Sequence, residues 1–242
     1  MRTPTIDVFA ITYNEEFLLP YFLDHYDFAR QIFVLDNEST DRTVEIADAH
    51  PKVKVISWSS QGLQNNLTMR YVKNECWKGS DADYVVVCDV DEFIDCSPLN
   101  QVQYDRDKPY AFKCEGRQMV GVDGQDLRDI DLWYHSVGYD KIAVFNPVIH
   151  SINYGCGAHD AAPTCPVTQG LLILRHYCML GEEYVVKRYQ RYAARMSQMD
   201  KDNNWGWQYL QEEDKIRQQY RNDLQLAKGN GLVGIEHLWK KD

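Results

Sequence analysis

Through residues 6–88, apolar runs of strand length alternate with segments of helical periodicity. Residues 6–11 read as a strand, and residues 21–26 as a short helix that Pro20 is suited to open. A second strand spans 31–35. A helix follows across Val44, Ile46 and Ala47, with Ser39 or Thr40 as its expected cap. Residues 53–58 form a third strand pattern, and 67–77 a helix with Leu67, Tyr71 and Val72 apolar. The uninterrupted run over 84–88 is the pattern of a strand covered on both faces of a parallel sheet. This βαβαβαβ order predicts an α/β fold. The predicted carboxyl ends of its strands carry Thr12-Tyr13-Asn14-Glu15, Asp36 and Asp89-Val90-Asp91, where open α/β sheets bind ligands.

Beyond residue 100 the pattern loosens. Strands are expected at 110–114, 142–145 and 171–174, with a polar loop containing Gly121, Gly124 and an acidic run over 126–131. Residues 146–166 are rich in Gly, Pro, Asn and His. Helices are expected over 182–199 and 205–220, and the apolar residues 232–239 are expected to dock. There is no internal repeat and no clear boundary, so residues 1–242 read as one domain, regular over 1–100 and looser over 101–242.

Composition narrows the classes. A chain of 242 residues can bury its core without covalent staples. Its formal charge of −10, from 26 basic and 36 acidic residues, argues against nucleic acid or an anionic membrane as partner. Seven cysteines at scattered spacings, with no CxxC, are not a secreted disulfide framework, and zinc is not expected around Cys156, Cys165 and Cys178. The first residues enter a strand pattern that includes Asp7, unlike a signal peptide, and no apolar run reaches membrane-spanning length. A reduced, cytoplasmic protein without a transmembrane segment is expected.

The most informative chemistry is Asp89-Val90-Asp91 after the buried run. Alternation places Asp89 and Asp91 on one side of an extended segment. Two such carboxylates repel unless a cation or donors neutralise them, and hard oxygen ligands suit Mn²⁺ or Mg²⁺ beside phosphates. Asp36 is placed to accept from a ribose or a base, whereas the absence of GxGxxG removes the dinucleotide reading. His159 and His176 are candidate further ligands, and Arg70 a candidate for a diphosphate. Lys187, Arg191 and Arg195 recur every four residues as a basic stripe, the ordinary pattern of a solvated face with Glu183 pairing Lys187. Trp205, Trp207 and Tyr209 fit either core packing or stacking on a sugar.

Together, Thr12-Tyr13-Asn14-Glu15, Asp36 to Asp41 and Asp89-Val90-Asp91-Glu92-Phe93 resemble the glycosyltransferase family 2-like group of GT-A glycosyltransferases. The subgroup with a leading NEE…L…H pattern is the nearer one, matched by Asn14-Glu15-Glu16, Leu19 and His25, and Leu174-Arg175-His176-Tyr177 resembles it too. The resemblance implies a GT-A fold: a mixed, mostly parallel sheet with flanking helices. It implies a nucleotide-diphosphate sugar as donor, with Thr12, Tyr13 and Glu15 at the nucleoside, Asp36 at base or ribose, and Asp89 at ribose or sugar. Asp91 would bind the divalent ion, Mn²⁺ or Mg²⁺, with Asp89 and His159 beside it. Residues 1–100 would then be the nucleotide-binding half, and residues 101–242, with their C-terminal helices, the acceptor-binding half.

The reaction expected is transfer of a hexose or deoxyhexose, UDP-linked by default, to a saccharide or glycan hydroxyl with inversion. An inverting transfer needs a base for the acceptor hydroxyl. Asp160, in the open loop Gly155-Cys156-Gly157-Ala158-His159-Asp160, is the first candidate and Glu115 the second. Access to the acceptor would come from solution, a partner or a neighbouring domain of a longer polypeptide. Two rivals are a sugar nucleotidyltransferase, which would carry a glycine-rich basic loop after the first strand, and a noncatalytic carbohydrate-binding protein retaining the fold.

Overall fold

The computed structural model describes residues 3–102 and 108–229. Its centre is a nine-stranded mixed sheet in the order β3-β2-β1-β4-β8-β6-β9-β5, with β7 paired to β6. The strands are β1 (Ile6–Thr12), β2 (Gln31–Asp36), β3 (Val53–Ser57), β4 (Tyr84–Asp89), β5 (Glu92–Asp95), β6 (Ala111–Val120), β7 (Trp133–His135), β8 (Ile142–Phe145) and β9 (Val167–Met179). The helices are α1 (Leu19–His25), α2 (Thr43–Asp48), α3 (Asn66–Glu75), α4 (Glu182–Arg195), α5 (Gln198–Asp202) and α6 (Glu213–Gly229). The first four strands are parallel. Beyond them β8 runs antiparallel to β4 and β6, and β9 lies parallel to β6.

Every residue of β1 is buried, because alternate side chains enter different cores. Val8 and Ala10 pack with Phe22 of α1, whereas Phe9 and Ile11 pack with Trp77 beyond α3. A third cluster joins Val120 and Met179 at the ends of β6 and β9 to α4 and α6. No helix among the described residues is long and apolar enough to cross a membrane.

The elements expected before residue 90 are all present. Of the later ones, the strand over 142–145 is β8 with the expected bounds, and others differ in extent. The strand expected over 171–174 is β9, thirteen residues long and continuous through Arg175 and His176. The helix expected over 182–199 ends at Arg195, where Gln64 inserts: its N–H donates to Arg195 O at 2.7 Å and its carbonyl accepts from Ser197 N–H at 3.0 Å. The helix expected over 205–220 starts only at Glu213, because Gly206 takes the left-handed conformation (φ 71°) and a single tight turn follows over Trp207–Leu210. The expectation for 232–239 lies outside the described residues.

Ser39 and Thr40 do not cap α2. Ser39 Oγ accepts from Asn14 N–H at 2.9 Å, and Thr40 N–H donates to Asn14 Oδ1 at 2.7 Å. The loops after β1 and β2 are thereby latched together, and Glu15 N–H completes the latch on Thr43 Oγ1 at 2.8 Å. Asn14 supports the turn with a positive φ of 51°, which a short polar side chain tolerates.

Candidate active site

The carboxyl ends of β1 and β4, α3, the loop around His159, β9 and α4 enclose a cavity of about 450 Å³. Its floor is acidic, formed by Glu15, Asp89, Asp91 and Glu92. Each of these carboxylates has a cationic partner. Lys73 Nζ donates to Asp89 at 2.8 Å, and Lys141 pairs with Glu92. Arg188 reaches Asp91 Oδ2 at 2.6 Å and Glu15 Oε1 at 3.0 Å, and Arg191 reaches the same Glu15 oxygen at 2.9 Å. The repulsion expected of the paired acids is met by side chains from α3, the start of β8 and α4.

The protonation equilibria follow this pairing. Burial penalises the charged form of Asp91, but His176 and Arg188 outweigh it and hold the carboxyl well below its usual range. Burial also opposes ionisation of Asp89, and Lys73 and Lys141 overcome it. At Glu15 burial wins over Arg188 and Arg191, leaving its pKa raised.

Three side chains form a ligand-type cluster. One atom each from Asp91, Glu92 and His176 lie within 4.8 Å of one another, all buried. His176 Nε2 stands 3.2 Å from Asp91 Oδ2. Its orientation is set by Gln118, whose amide nitrogen donates to the carbonyls of Met119 and His176 at 2.9 and 3.0 Å. Gln118 Oε1 therefore faces His176 Nδ1, 2.8 Å away, and receives its N–H. That leaves Nε2 as the atom turned toward Asp91, the second-layer arrangement that orients a metal-binding imidazole. Two hard carboxylates and one imidazole suit Mn²⁺ or Mg²⁺ with open positions for phosphate oxygens.

The residues singled out from the sequence are distributed unevenly. Tyr13, Glu15, Arg70, Asp89, Asp91, His159 and His176 line the cavity. Asp89 and His159 stand outside the three-residue cluster: Asp89 is engaged by Lys73, and His159 Nδ1–H donates to Gly138 O at 2.7 Å. Thr12 is buried, its hydroxyl donating to Ala10 O at 3.2 Å. Asp36 is buried under the loop and accepts from Ser39 N–H at 3.2 Å. Neither Asp160 nor Glu115 lines the cavity. The Asp160 carboxylate folds against Gly155, so close that a Cβ there would meet its Oδ1 at 2.3 Å. Glu115 pairs with Arg117 at 3.0 Å.

Of the expected basic stripe, Lys187 is exposed as a solvated residue, but Arg191 and Arg195 are half-buried. Arg188, Arg191 and Arg195 turn inward together, and the Arg195 guanidinium covers the Tyr13 ring at 3.2 Å from its centroid. Glu183 pairs with Arg217 of α6. Arg188, unremarked in the sequence pattern, is the most buried of the three. Its signal was there: Arg188, Arg191 and Arg195 follow i, i+3, i+7 spacing, one helical face shared with Tyr184 and Tyr192.

The sequence profile described as Glycosyl transferase family 2 matches residues 7–137, more than half of the chain. His176 and Arg188 lie beyond that match. No curated protein gives a significant match. Among solved structures, glucosyl-3-phosphoglycerate synthase from Mycobacterium tuberculosis, in complex with Mn²⁺, UDP and glucosyl-3-phosphoglycerate, is similar over 45% of this chain and 43% of that one, at 21% identity and a TM-score of 0.30. An active-site mutant of LgtC aligns over 58% of this chain and 57% of that one, at 13% identity and a TM-score of 0.36. Galactosyltransferase LgtC with donor and acceptor sugar analogues aligns over 58% of both chains, at 12% identity and a TM-score of 0.34. This chain thus spans about half the length of the solved structures it resembles. From the paired acids closing β4 to the profile spanning β1 to β7, the chain belongs to glycosyl transferase family 2, on a GT-A fold.

Proposed function

We propose that the protein transfers a hexose or deoxyhexose from a nucleotide-diphosphate sugar, UDP-linked, to a saccharide hydroxyl with inversion and with a divalent ion. The observation carrying this reading is the Asp91–Glu92–His176 cluster on the floor of the cavity, beside the arginines of α4. Asp91 and His176, with Glu92 behind them, would hold the ion. When bound, it supplies positive charge to the diphosphate as the glycosidic bond breaks. Arg188 and Arg70 line the cavity and offer further charge to the same leaving group, and Tyr13 and Asn37 line the side suited to the nucleoside. Trp205, Trp207 and Tyr209 line the outer part and present flat faces for an acceptor sugar.

Every carboxylate on the cavity floor is engaged by a cation, which occupies oxygens that a base would need free. Asp160 would need its loop to turn before it could serve, and Glu115 lies farther along β6. The wall offers His159 instead. Its Nδ1–H is committed to Gly138 O, so Nε2 carries the lone pair. Burial, reinforced by Lys141, lowers its pKa and keeps the ring neutral near pH 7, able to take the acceptor's proton.

A thermal-shift screen of UDP, GDP, dTDP and their sugars, with and without Mn²⁺, tests the reading. One nucleoside diphosphate should stabilise the protein only with metal, and Asp91→Ala should lose the effect. Absence of any nucleotide binding, together with absence of turnover, would leave the noncatalytic reading standing.

A further inference from the structure

Arg188 occupies the position that the functional reading gives to other partners. Its NH2 donates to Asp91 Oδ2 at 2.6 Å, the same oxygen that faces His176 Nε2 at 3.2 Å. Its NH1 donates to Glu15 at 3.0 Å and to Tyr184 Oη at 3.1 Å. The side chain is 7% exposed and lines the cavity. The Asp91 oxygen that faces His176 is the one Arg188 holds, so a cation bound between Asp91 and His176 through it competes with the guanidinium.

The local charge balance points the same way. Glu15, Asp89, Asp91 and Glu92 are matched by Lys73, Lys141, Arg188 and Arg191. A bare divalent ion therefore finds no excess of negative charge to pull it from water. A diphosphate brings that charge. It also offers a guanidinium fork the paired oxygens it binds best. Glu15 is provided for in either case, because Arg191 holds it independently at 2.9 Å.

We propose that Arg188 couples metal binding to nucleotide binding. Without ligands it stands in for the ion at Asp91, and it passes to the diphosphate when ion and nucleotide enter together. The proposal rests on the nucleotide-sugar reading of the site. It makes Arg188 a binding residue in its own right, with a role that neither the ion nor Asp91 performs. Metal alone and nucleotide alone then bind weakly, and each strengthens the other by the same factor, as linkage requires.

Mn²⁺ binding, followed by the electron paramagnetic resonance signal of the free ion, tests this with UDP and GDP as probes. In the wild-type protein one nucleotide should tighten Mn²⁺ binding at least tenfold. Arg188→Gln should bind Mn²⁺ alone at least tenfold more tightly than wild type and lose most of the nucleotide effect. Arg188→Lys carries the same test should Arg188→Gln not fold, since an ammonium cannot span both carboxylates. Unchanged or weaker Mn²⁺ binding in the variant that folds, or an intact nucleotide effect, overturns the proposal and leaves the functional reading in place. Failure of the wild-type protein to bind either nucleotide with Mn²⁺ overturns both.

Discussion

His25 on α1 and Ile94 on β5 are joined by a hydrogen bond of 3.0 Å, from imidazole Nε2 to the carbonyl oxygen. The ring also stacks on Phe93, at 5.1 Å between centroids. Next to it, Tyr26 donates to Glu92 O at 3.0 Å and accepts from Ile94 N–H at 2.8 Å. The strand that follows the paired acids is therefore clamped by two consecutive residues at the end of the first helix, His25 and the capping Tyr26. The histidine of the NEE…L…H pattern thus holds Ile94, away from the cavity itself, and it is Tyr26 that holds the backbone of Glu92.

The clamp predicts an acid sensitivity. Burial lowers the His25 pKa to about 4, despite the bond to Ile94, against 6.5 for the free side chain. Between those values the unfolded chain binds the proton and the folded one does not, so stability falls as pH drops from 6.5 toward 4. Asp24, Asp95 and Arg175 act on the same ring. Urea denaturation at pH 7.5, 6 and 4.5 should show a smaller loss of midpoint in His25→Gln than in wild type. Equal losses would remove His25 as the source.

Lys141 and Glu92 are a buried pair, with side chains 3% and 2% exposed. Lys141→Met should cost about 3–5 kcal/mol, because the glutamate is left charged and alone. The double variant Lys141→Met with Glu92→Gln should recover a large part of that loss. Denaturant titration of the metal-free proteins measures both, and additive losses would contradict the pairing.

Asp123 stands at the start of α4, accepting from Glu182 N–H at 3.0 Å and Glu183 N–H at 3.1 Å. Gly181 allows this approach: a Cβ there would lie 2.3 Å from Asp123 Oδ1, and its φ is 134°. Asp123→Ala should cost about 1 kcal/mol through loss of the cap. Gly181→Ala should cost more, since strain is added to the lost cap. Thermal melts would rank the two, and the reverse order would contradict this account of the helix start.

His159→Gln tests the assignment of the base. Glutamine cannot take a proton, so kcat should fall about 100-fold or more with little change in donor affinity. In the wild-type protein the rate should decline as pH falls below the lowered pKa of His159. The variant should lack that limb in a pH–rate profile. Retained kcat would return the role to Asp160 or Glu115.

How much of this was readable in the sequence depended on how local the physics was. β1, β2 and β4 announce themselves because each is an apolar run largely covered on both faces, and the edge strand β3 because its half-buried Val53 and Val55 alternate with exposed Lys54 and Ile56. β5 was not foreseen: it has four residues, and its partner β9 lies some 80 positions away in the chain. The same distance hid the site. Asp91 was legible from its spacing to Asp89, but the oxygen it shares between His176 and Arg188 depends on β9 and α4 meeting at one place. Lys187, Arg191 and Arg195 suggested a solvated face, which holds for Lys187 alone, since a charge periodicity does not say which side meets the protein. Ser39 and Thr40 were read as caps because caps are local, whereas their partner Asn14 sits 25 residues or more away.

The strand order has a consequence for dissecting the protein. β5 belongs to the first hundred residues, yet it lies at the far edge of the sheet, outside β9. β8, β6 and β9 are threaded between β4 and β5, which only two residues of chain separate. A fragment cut near residue 100 would keep β5 without its neighbour and expose the flank of β4. The parts before and after residue 100 are accordingly expected to melt together in one cooperative transition. Exchanging one part between relatives would demand a matched set of strands.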